Sequence, residues 1–278
     1  TIVIDSLKTS SGGSITSDQV IIADNDGLLS TLIASSGISG AAFVLGGATD
    51  GVVTHTVDVD SVAKATYEFS LSQDANSVDL NYQLTQVDVS GGQQLQLSGE
   101  AGDAEASSAN STLSALVTGG GGLNIAGNAV RLSNKKNDYL GKTTVANGAT
   151  LYAESGALGG TSLLDVLGTA WVDENAVDAL NVEQTGVLHL TGKLTVDSDS
   201  TPSSIDGHVS GAGDLSLASD VALTVTTENS GYTGDIAIGN SGSITFSGDA
   251  AGLGSGAISF ADGAVLDIQF VGDKTLTN

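Results

Sequence analysis

The sequence predicts an all-β fold, an elongated parallel β-solenoid (β-helix), and three observations support this prediction. Short runs of residues alternate between apolar and polar with a period of two, and Gly, Asn, Asp or Ser separates the runs. Two segments of the chain resemble each other at a nearly constant spacing. Of the 278 residues, 38 are Gly, and 40% are hydrophobic although only 4% are aromatic. The alternatives are a β-sandwich or a β-propeller, and a sandwich of this length would normally carry a stronger aromatic core.

The alternating runs cover most of the chain. The run at residues 51–60 gives one face to Val53, His55, Val57 and Val59. Comparable runs occupy residues 80–89, 93–97, 186–196, 213–226 and 256–268. No segment shows a sustained period of 3.6 residues, so the pattern predicts short strands joined by tight turns.

The internal repeat comprises residues 123–159 and residues 215–254. The matching positions are Tyr139 and Tyr232, Gly141 and Gly234, both 93 residues apart, and Leu158-Gly159 with Leu253-Gly254, 95 residues apart. A shorter, partial copy of the repeat starts at Gly186. A unit of this kind cannot bury its apolar face alone, so we expect the copies to stack as equivalent coils with a shared core. Coils of about 20 residues would give roughly 13 rungs and a rod on the order of 60 Å long.

The regularity of these patterns changes along the chain. Residues 1–64 are predicted to form irregular or loop-bearing N-terminal coils, and residues 65–278 the regular β-helix of the same continuous domain. The chain starts with neither an initiator Met nor a signal peptide, and its last residues do not complete an element. We therefore expect a fragment of a longer protein. No apolar stretch approaches the roughly 20 residues that span a bilayer.

The net charge of −24 excludes two classes of partner. Nucleic acids and acidic membranes are bound through Lys and Arg, and this chain has eight of these against 32 acidic residues. The absence of Cys excludes disulfides and thiolate metal sites. Neither nucleic acid nor a membrane is therefore expected to bind this segment.

The two repeat copies contain motifs of a known family. In the first copy these are Leu123-Asn-Ile, Asn137-Asp-Tyr139-x-Gly141, Asn147-Gly-Ala-Thr-Leu151 and Ala157-Leu-Gly159; in the second they are Leu215-Ser-Leu, Asn229, Tyr232-Thr-Gly234, Ile236-Ala-Ile238 and Leu253-Gly-Ser-Gly256. They resemble the passenger-associated repeat of type V autotransporters of the adhesin or self-associating type, over about residues 65–270. The resemblance implies a right-handed parallel β-helix displayed at the bacterial surface. It also implies a signal peptide before the passenger and a C-terminal domain anchored in the outer membrane after it, neither of which is in this chain.

Nothing in the sequence predicts an enzyme. The Gly-Asp-Ser-Gly motif of the serine-protease passengers is absent, and Gly254-Ser-Gly256 is a turn of the repeat. The three histidines, His55, His189 and His208, lie in unrelated segments. His55 and His189 fall in step with apolar neighbours, which is more typical of a packed or rim histidine than of a general base.

Carboxylate pairs and acidic turns suggest two weaker possibilities. Asp58 with Asp60 and Asp197 with Asp199 could serve a polysaccharide-cleaving enzyme, but solvated carboxylates at a strand edge explain them better. Asp24-Asn-Asp-Gly27 matches only the front half of a calcium loop. The calcium-binding motif Gly-Gly-x-Gly-x-Asp is also absent, because Gly119–Gly122 leads directly into Leu123. We expect no cofactor and no dedicated metal site, with room only for an adventitious calcium ion.

Half of the basic residues lie within 12 positions: Arg131, Lys135, Lys136 and Lys142. They are the candidate binding residues, as a patch for an acidic partner or an acidic stretch of another copy. The alternative is that a turn at residues 134–138 displays two Lys to solvent.

The function predicted from these observations is a non-enzymatic surface adhesin. Ladders of Asn, Ser, Thr and Asp on repeated strands can bind a host matrix protein or a surface glycan by many weak contacts, which avidity strengthens. The same ladders could join copies on neighbouring cells in aggregation and biofilm formation. A passive stalk that presents a more N-terminal region is the alternative, and a polysaccharide-active enzyme is the third hypothesis.

Overall fold

The computed structural model describes residues 2–4, 19–21, 43–45, 49–50, 52–73, 78–247 and 252–269. Their regular structure is β throughout, apart from a 3-10 turn at Ala109–Ser111. In this part of the chain, no helix has the length and the apolar character that crossing a membrane requires. The chain divides into two compact units, the first from residues 1–59 and 64–87 and the second from residues 60–63 and 88–278.

The first unit is built around four paired strands. Its strands, in sheet order, are β2 (Gln19–Ile21), β6 (Val78–Val89), β5 (Ala63–Gln73) and β4 (Val52–Val59). β2 and β6 are antiparallel, and a separate parallel pair joins β1 (Ile2–Ile4) and β3 (Phe43–Leu45). Phe69 and Tyr82 form a small core that Tyr67 packs against. The predicted division after residue 64 falls inside β5.

The second unit is a parallel β-solenoid, which confirms the predicted fold class. Its first sheet contains β7 (Gln94–Ser98), β10 (Gly122–Gly127), β12 (Thr143–Val145), β14 (Leu164–Val166), β17 (Leu180–Val182), β20 (Ser203–Ile205), β23 (Ala222–Val225), β25 (Ser243–Ser247) and β27 (Val265–Gln269). The second sheet contains β8 (Thr112–Leu113), β11 (Ala129–Leu132), β13 (Thr150–Ala153), β15 (Thr169–Val172), β18 (Val187–Leu190) and β21 (His208–Gly211). The third sheet contains β16 (Asn175–Val177), β19 (Leu194–Val196), β22 (Leu215–Leu217), β24 (Ile236–Ile238) and β26 (Ile258–Phe260), while β9 (Leu116–Thr118) lies outside these three sheets.

The strand register shows that the coils differ in length. Leu164 pairs with Leu180 across a short coil, whereas Asn181 pairs with Ser204 across a longer one. These two lengths lie on either side of the predicted coil length. The described residues contribute nine strands to the first sheet, and roughly 13 rungs were predicted for the whole chain. The rung prediction assigned the whole chain to coils, whereas the strands β4, β5 and β6 belong to a separate sheet.

Short strands suffice here because each presents two apolar residues to a shared core. In β14 and β17 the first and third residues, Leu164 with Val166 and Leu180 with Val182, have no exposed surface. The middle residue of such a strand points outward because side chains alternate across a strand. Full burial of one Leu or Val contributes about 1.5–3 kcal/mol. Stacking the same pattern in successive coils therefore stabilises the unit without an aromatic core.

The two repeat copies build the same corner. The side-chain oxygen of Asn137 accepts the N–H of Val117 at 2.8 Å, and its amide donates to the carbonyl of Ala157 at 2.8 Å. Asn229 repeats both bonds, with Val209 at 2.6 Å and Gly252 at 3.0 Å. In each copy the Tyr that follows is fully buried.

The corners, however, lie on different sides of the coil. The strands that flank Tyr139 belong to the first and second sheets, whereas those that flank Tyr232 belong to the first and third. The expectation that the copies are equivalent coils is therefore wrong, because they are rotated by one sheet. The Tyr139 corner lies in a coil that has no strand of the third sheet, whose first described strand is β16. The Tyr232 corner lies in a coil that has no strand of the second sheet, whose last described strand is β21. The repeat consequently places no matching side chains on one outer face.

Candidate binding surface

A column of ring side chains lies on the outer face of the second sheet. Tyr152, Trp171 and His189 are paired in register on β13, β15 and β18. They point outward because the residues on either side of each ring are buried in the core. Arg131 precedes them in the same column and Ser210 follows them. We call the three rings the ring column.

The rings of the column are stacked on one another. The centroids of Trp171 and His189 are 4.0 Å apart with an interplanar angle of 22°, and those of Tyr152 and Trp171 are 6.1 Å apart at 12°. The guanidinium carbon of Arg131 lies 5.0 Å from the centroid of the Tyr152 ring, within the range of a cation–π contact. At the other end, the Ser210 hydroxyl is hydrogen-bonded to Nδ1 of His189. Both ends of the stack are thus occupied, yet 37% of the Trp171 surface is exposed.

A groove runs beside the ring column. Its volume is about 210 Å³, and it is lined by Arg131, Tyr152, Ala153, Glu154, Trp171, Asp173 and Thr191. Glu154, Asp173 and Thr191 directly follow β13, β15 and β18, so they form a second outward column. We call this feature the ring groove. It has aromatic rings along one side and oxygen-bearing side chains along the other.

The ring groove carries an excess of negative charge. Nη1 of Arg131 lies 3.5 Å from Oε1 of Glu154. Among the described residues Asp173 forms no ion pair. Burial lowers the pKa of His189 below its usual value, so this ring is neutral near pH 7 and adds no positive charge. Two carboxylates therefore face one guanidinium.

The loop at residues 100–108, the capping loop, holds one end of the ring column. The carbonyl of Ala104 accepts the Tyr152 hydroxyl at 3.2 Å, and those of Glu105 and Ala106 accept Arg131 at 2.8 and 3.1 Å. The loop is itself closed by Asp103. Its carboxylate accepts the backbone N–H groups of Ser107 and Ser108 at 2.9 and 2.8 Å, which hold its pKa well below the usual range.

The structure separates the four basic residues predicted as a patch. Arg131 belongs to the ring groove, on the second sheet. Lys142 directly precedes β12 of the first sheet and pairs with Asp165 at 2.6 Å. Lys135 and Lys136 are exposed in the turn between them. Two of the four charges are thus already paired with carboxylates, and a binding role for the set stays a prediction.

The remaining candidate residues occupy scattered positions. His55 is exposed on β4 and His208 is exposed at the start of β21. Asp58, Asp60, Asp197 and Asp199 are exposed, and desolvation together with nearby Asp178 raises the pKa of Asp197. No group of three or more potential ligands for a metal occurs in the described ranges. The stretch Asp24–Gly27 lies outside those ranges.

A polar ladder covers part of the outer face of the first sheet. Asn181 donates to Asp165 at 3.3 Å and accepts the hydroxyl of Ser204 at 2.7 Å. Asp206 accepts the hydroxyl of Thr226 at 2.6 Å in a neighbouring column. These side chains match the ladders of Asn, Ser, Thr and Asp that the sequence predicts, but they already bond to one another.

Tyr152 and Trp171 were not among the candidate residues predicted from the sequence. The signal was present as three triplets in which a ring stands between two apolar residues: Leu151-Tyr-Ala, Ala170-Trp-Val and Leu188-His-Leu. The two steps between their central residues are nearly equal and close to the predicted length of one coil. Reading this spacing as a coil would have placed the rings in one column.

The comparisons with known proteins give two partial relatives. No known family and no solved structure matches the chain. It is 32% identical over 206 residues to the uncharacterized lipoprotein YdeK of Escherichia coli K12, and 32% identical over 214 residues to the uncharacterized protein YuaQ of the same strain. These alignments cover 71% and 72% of the chain. The chain spans about 15% of the length of each relative.

Proposed function

We propose that this chain is a non-enzymatic adhesive segment of a cell-envelope protein, which binds a surface glycan or a matrix protein. The observation that carries the proposal is the ring groove, where an exposed Trp is held rigidly on an outer face of the solenoid. Rigid aromatic side chains supply contact area at a low cost in conformational entropy, and Trp is enriched among residues that dominate binding energy. The proposal does not depend on the repeat copies, since these face different directions.

A location in the cell envelope is supported by the relative that is named a lipoprotein. The finer proposal is display outside the outer membrane, as the passenger of an autotransporter. Its support is the motif resemblance around Tyr139 and Tyr232 together with the parallel coils. A solenoid suits this position because it extends by adding coils and exposes the outer face of each sheet.

The arrangement of the described side chains favours binding over catalysis. His189 and Ser210 form the only Ser–His hydrogen bond among the described residues. No carboxylate in that part of the chain is hydrogen-bonded to the second ring nitrogen of His189, and the ring is stacked on Trp171. A general base needs an orienting partner and freedom to reach a substrate, and this imidazole has neither.

A passive stalk remains the second candidate, and the bonding within the polar ladder favours it. Replacing residues 123–269 by an unrelated β-solenoid distinguishes the two functions in the full-length protein on cells. Retained adhesion after the exchange would support the stalk. Loss of adhesion with normal surface display would support the adhesive segment.

The direct test measures binding and self-association of the purified 278-residue chain. Plates are coated with matrix proteins and with immobilised glycans, and light scattering follows the chain alone at increasing salt concentrations. We expect binding to at least one coated surface. Self-association should appear only when salt screens the charge of −24. Absence of both signals would reject the adhesive function.

A further inference from the structure

We infer that the ring groove is a binding site for one uncharged pyranose unit of a glycan. This inference rests on the proposed adhesive function and deepens it by naming the site and the class of ligand. Its basis is the pairing of an offset aromatic surface with carboxylate and hydroxyl groups in the adjacent column.

The aromatic side of the groove is accessible and fixed. Neighbouring coils are about 4.8 Å apart. The 6.1 Å between the centroids of Tyr152 and Trp171 therefore means that these nearly parallel rings are laterally offset, so that the Tyr152 ring covers only part of the indole. The tighter stacking on His189 at 4.0 Å holds the indole in place. The apolar face of a sugar ring can pack on such a surface without further ordering of the protein.

The opposite side of the groove accepts hydrogen bonds. Asp173 is exposed and is not engaged by a cation among the described residues, and Glu154 shares one guanidinium contact at 3.5 Å. Ionised carboxylates accept hydrogen bonds only, which suits the hydroxyl donors of a sugar. The net negative charge of the groove, two carboxylates against one guanidinium, repels uronates and sulfated sugars. The groove therefore selects an uncharged saccharide over an acidic one.

A peptide would be bound less well in this position. Peptides commonly bind to β proteins by adding a strand at an open sheet edge, where backbone groups are free. Here β13 and β15 are paired on both sides, β13 between β11 and β15, and β15 between β13 and β18. Only side chains are available, so the backbone of a peptide would remain unpaired in the groove.

The size of the groove limits the ligand to a small unit. Its volume of about 210 Å³ is below the roughly 300–1,000 Å³ of pockets that hold drug-sized molecules. One ring of a longer glycan fits this description, with the rest of the chain in solvent. We therefore expect weak binding of single oligosaccharides and strong binding only of many copies.

Trp171 is the only Trp of the chain, so its fluorescence reports directly on the groove. The 278-residue chain is titrated with neutral oligosaccharides of glucose, galactose, mannose and N-acetylglucosamine. Uronate oligosaccharides and a Lys-rich peptide form two comparison arms. We expect at least one neutral sugar to change the Trp171 emission in a saturable way, and uronates to have no effect.

Three variants test the site by calorimetric titration with the sugar that binds. Trp171→Ala removes the aromatic surface, and Asp173→Asn removes charge on the opposite side at nearly constant shape. Both should weaken binding at least tenfold. Ser216→Ala, on the outer face of the third sheet, is the matched control and should leave the affinity unchanged. If thermal melting shows that Trp171→Ala disturbs the stack, the affinity of Asp173→Asn still tests whether the sugar binds in the ring groove.

The failures of the two proposals are distinguishable. If the chain adheres to coated surfaces while no neutral sugar alters the Trp171 emission, the groove inference is wrong and the adhesive function stands. Preferential binding of uronates, or of the Lys-rich peptide alone, would also overturn it. Unchanged affinity in both groove variants would show that the sugar binds outside the ring groove. Absence of any adhesion rejects both.

Discussion

Gly254 illustrates how close the backbones of successive coils come at a corner. Its φ is +61°, and a Cβ at this position would lie 1.7 Å from the carbonyl oxygen of Tyr232. Gly148 also has a positive φ, +79°, but an added Cβ would meet no atom within 4 Å. The two glycines therefore separate the cost of the left-handed conformation from the cost of a collision with the neighbouring coil.

We predict that Gly254→Ala lowers the free energy of unfolding by clearly more than Gly148→Ala. The second change should cost about 1–2 kcal/mol, the penalty of a left-handed L-residue. The first adds a backbone collision that must displace the Tyr232 corner. Urea unfolding of both variants measures the difference. Equal losses of unfolding free energy in the two variants would show that the Tyr232 corner rearranges at no energetic cost.

His189 gives the ring column a dependence on pH. Because burial lowers its pKa in the folded chain, the unfolded chain takes up a proton first as the pH falls below 6.5. Stability contributed by the neutral ring is present above pH 6.5 and decreases below it. A protonated imidazole stacked on an indole also quenches its fluorescence.

We therefore predict that the Trp171 emission decreases on acidification, with a midpoint below pH 6.5. His189→Gln should abolish this transition. His208→Gln, a change at an exposed histidine outside the column, should leave it unaltered. A transition that survives His189→Gln would mean that another group near the indole titrates.

At the scale of elements, the capping loop is closed by one side chain, that of Asp103. Asp103→Asn weakens the acceptor for two backbone N–H groups and for the hydroxyl of Ser107. We predict faster hydrogen exchange at residues 104–108 and a weaker hold on Arg131. Glu105→Gln is the matched control, since Glu105 holds Arg131 through its backbone carbonyl. Equal exchange in both variants would show that the 3-10 turn orders the loop without Asp103.

The strands of the solenoid were predictable because the alternation of apolar and polar residues is visible within each strand. The runs at residues 186–196 and 213–226 correspond to β18 with β19 and to β22 with β23. The repeat was expected to mark equivalent coils, and its Asn, Tyr and Gly instead build the same local corner at two different places. What the sequence does not encode locally is the sheet to which a strand belongs, since all three sheets use the same inward–outward–inward pattern.

The candidate site escaped prediction for a related reason. Whether two outward side chains meet depends on the length of the coil between them, and this length differs from one coil to the next, as the pairs Leu164–Leu180 and Asn181–Ser204 show. The sequence indicates Arg131 only through its charge, and its actual neighbours, Tyr152 and the capping loop, belong to distant parts of the sequence. Charge clustering along the chain thus predicted a patch that the coils distribute over two sheets.

At the scale of the whole molecule, the second unit should behave as a one-dimensional array, in which each coil is stabilised by the coils on either side. Leu180 lies in the middle of the first sheet, between β14 and β20, and has no exposed surface. Leu266 lies in β27, at the end of that sheet, and is half-buried. Among the described strands, the same side chain is thus present in one strand with two neighbours and in another with one.

Leu180→Ala should therefore cost about 2–5 kcal/mol, the usual effect of truncating a buried Leu, and Leu266→Ala distinctly less. Urea unfolding followed by the emission of Trp171 measures both, because the indole lies in a central coil. Hydrogen exchange should show the same gradient, with slower exchange in β14 and β17 than in β27. Equal effects of the two substitutions would contradict nearest-neighbour coupling and would mean that the coils unfold as one cooperative body, whose stability is insensitive to the position of a defect.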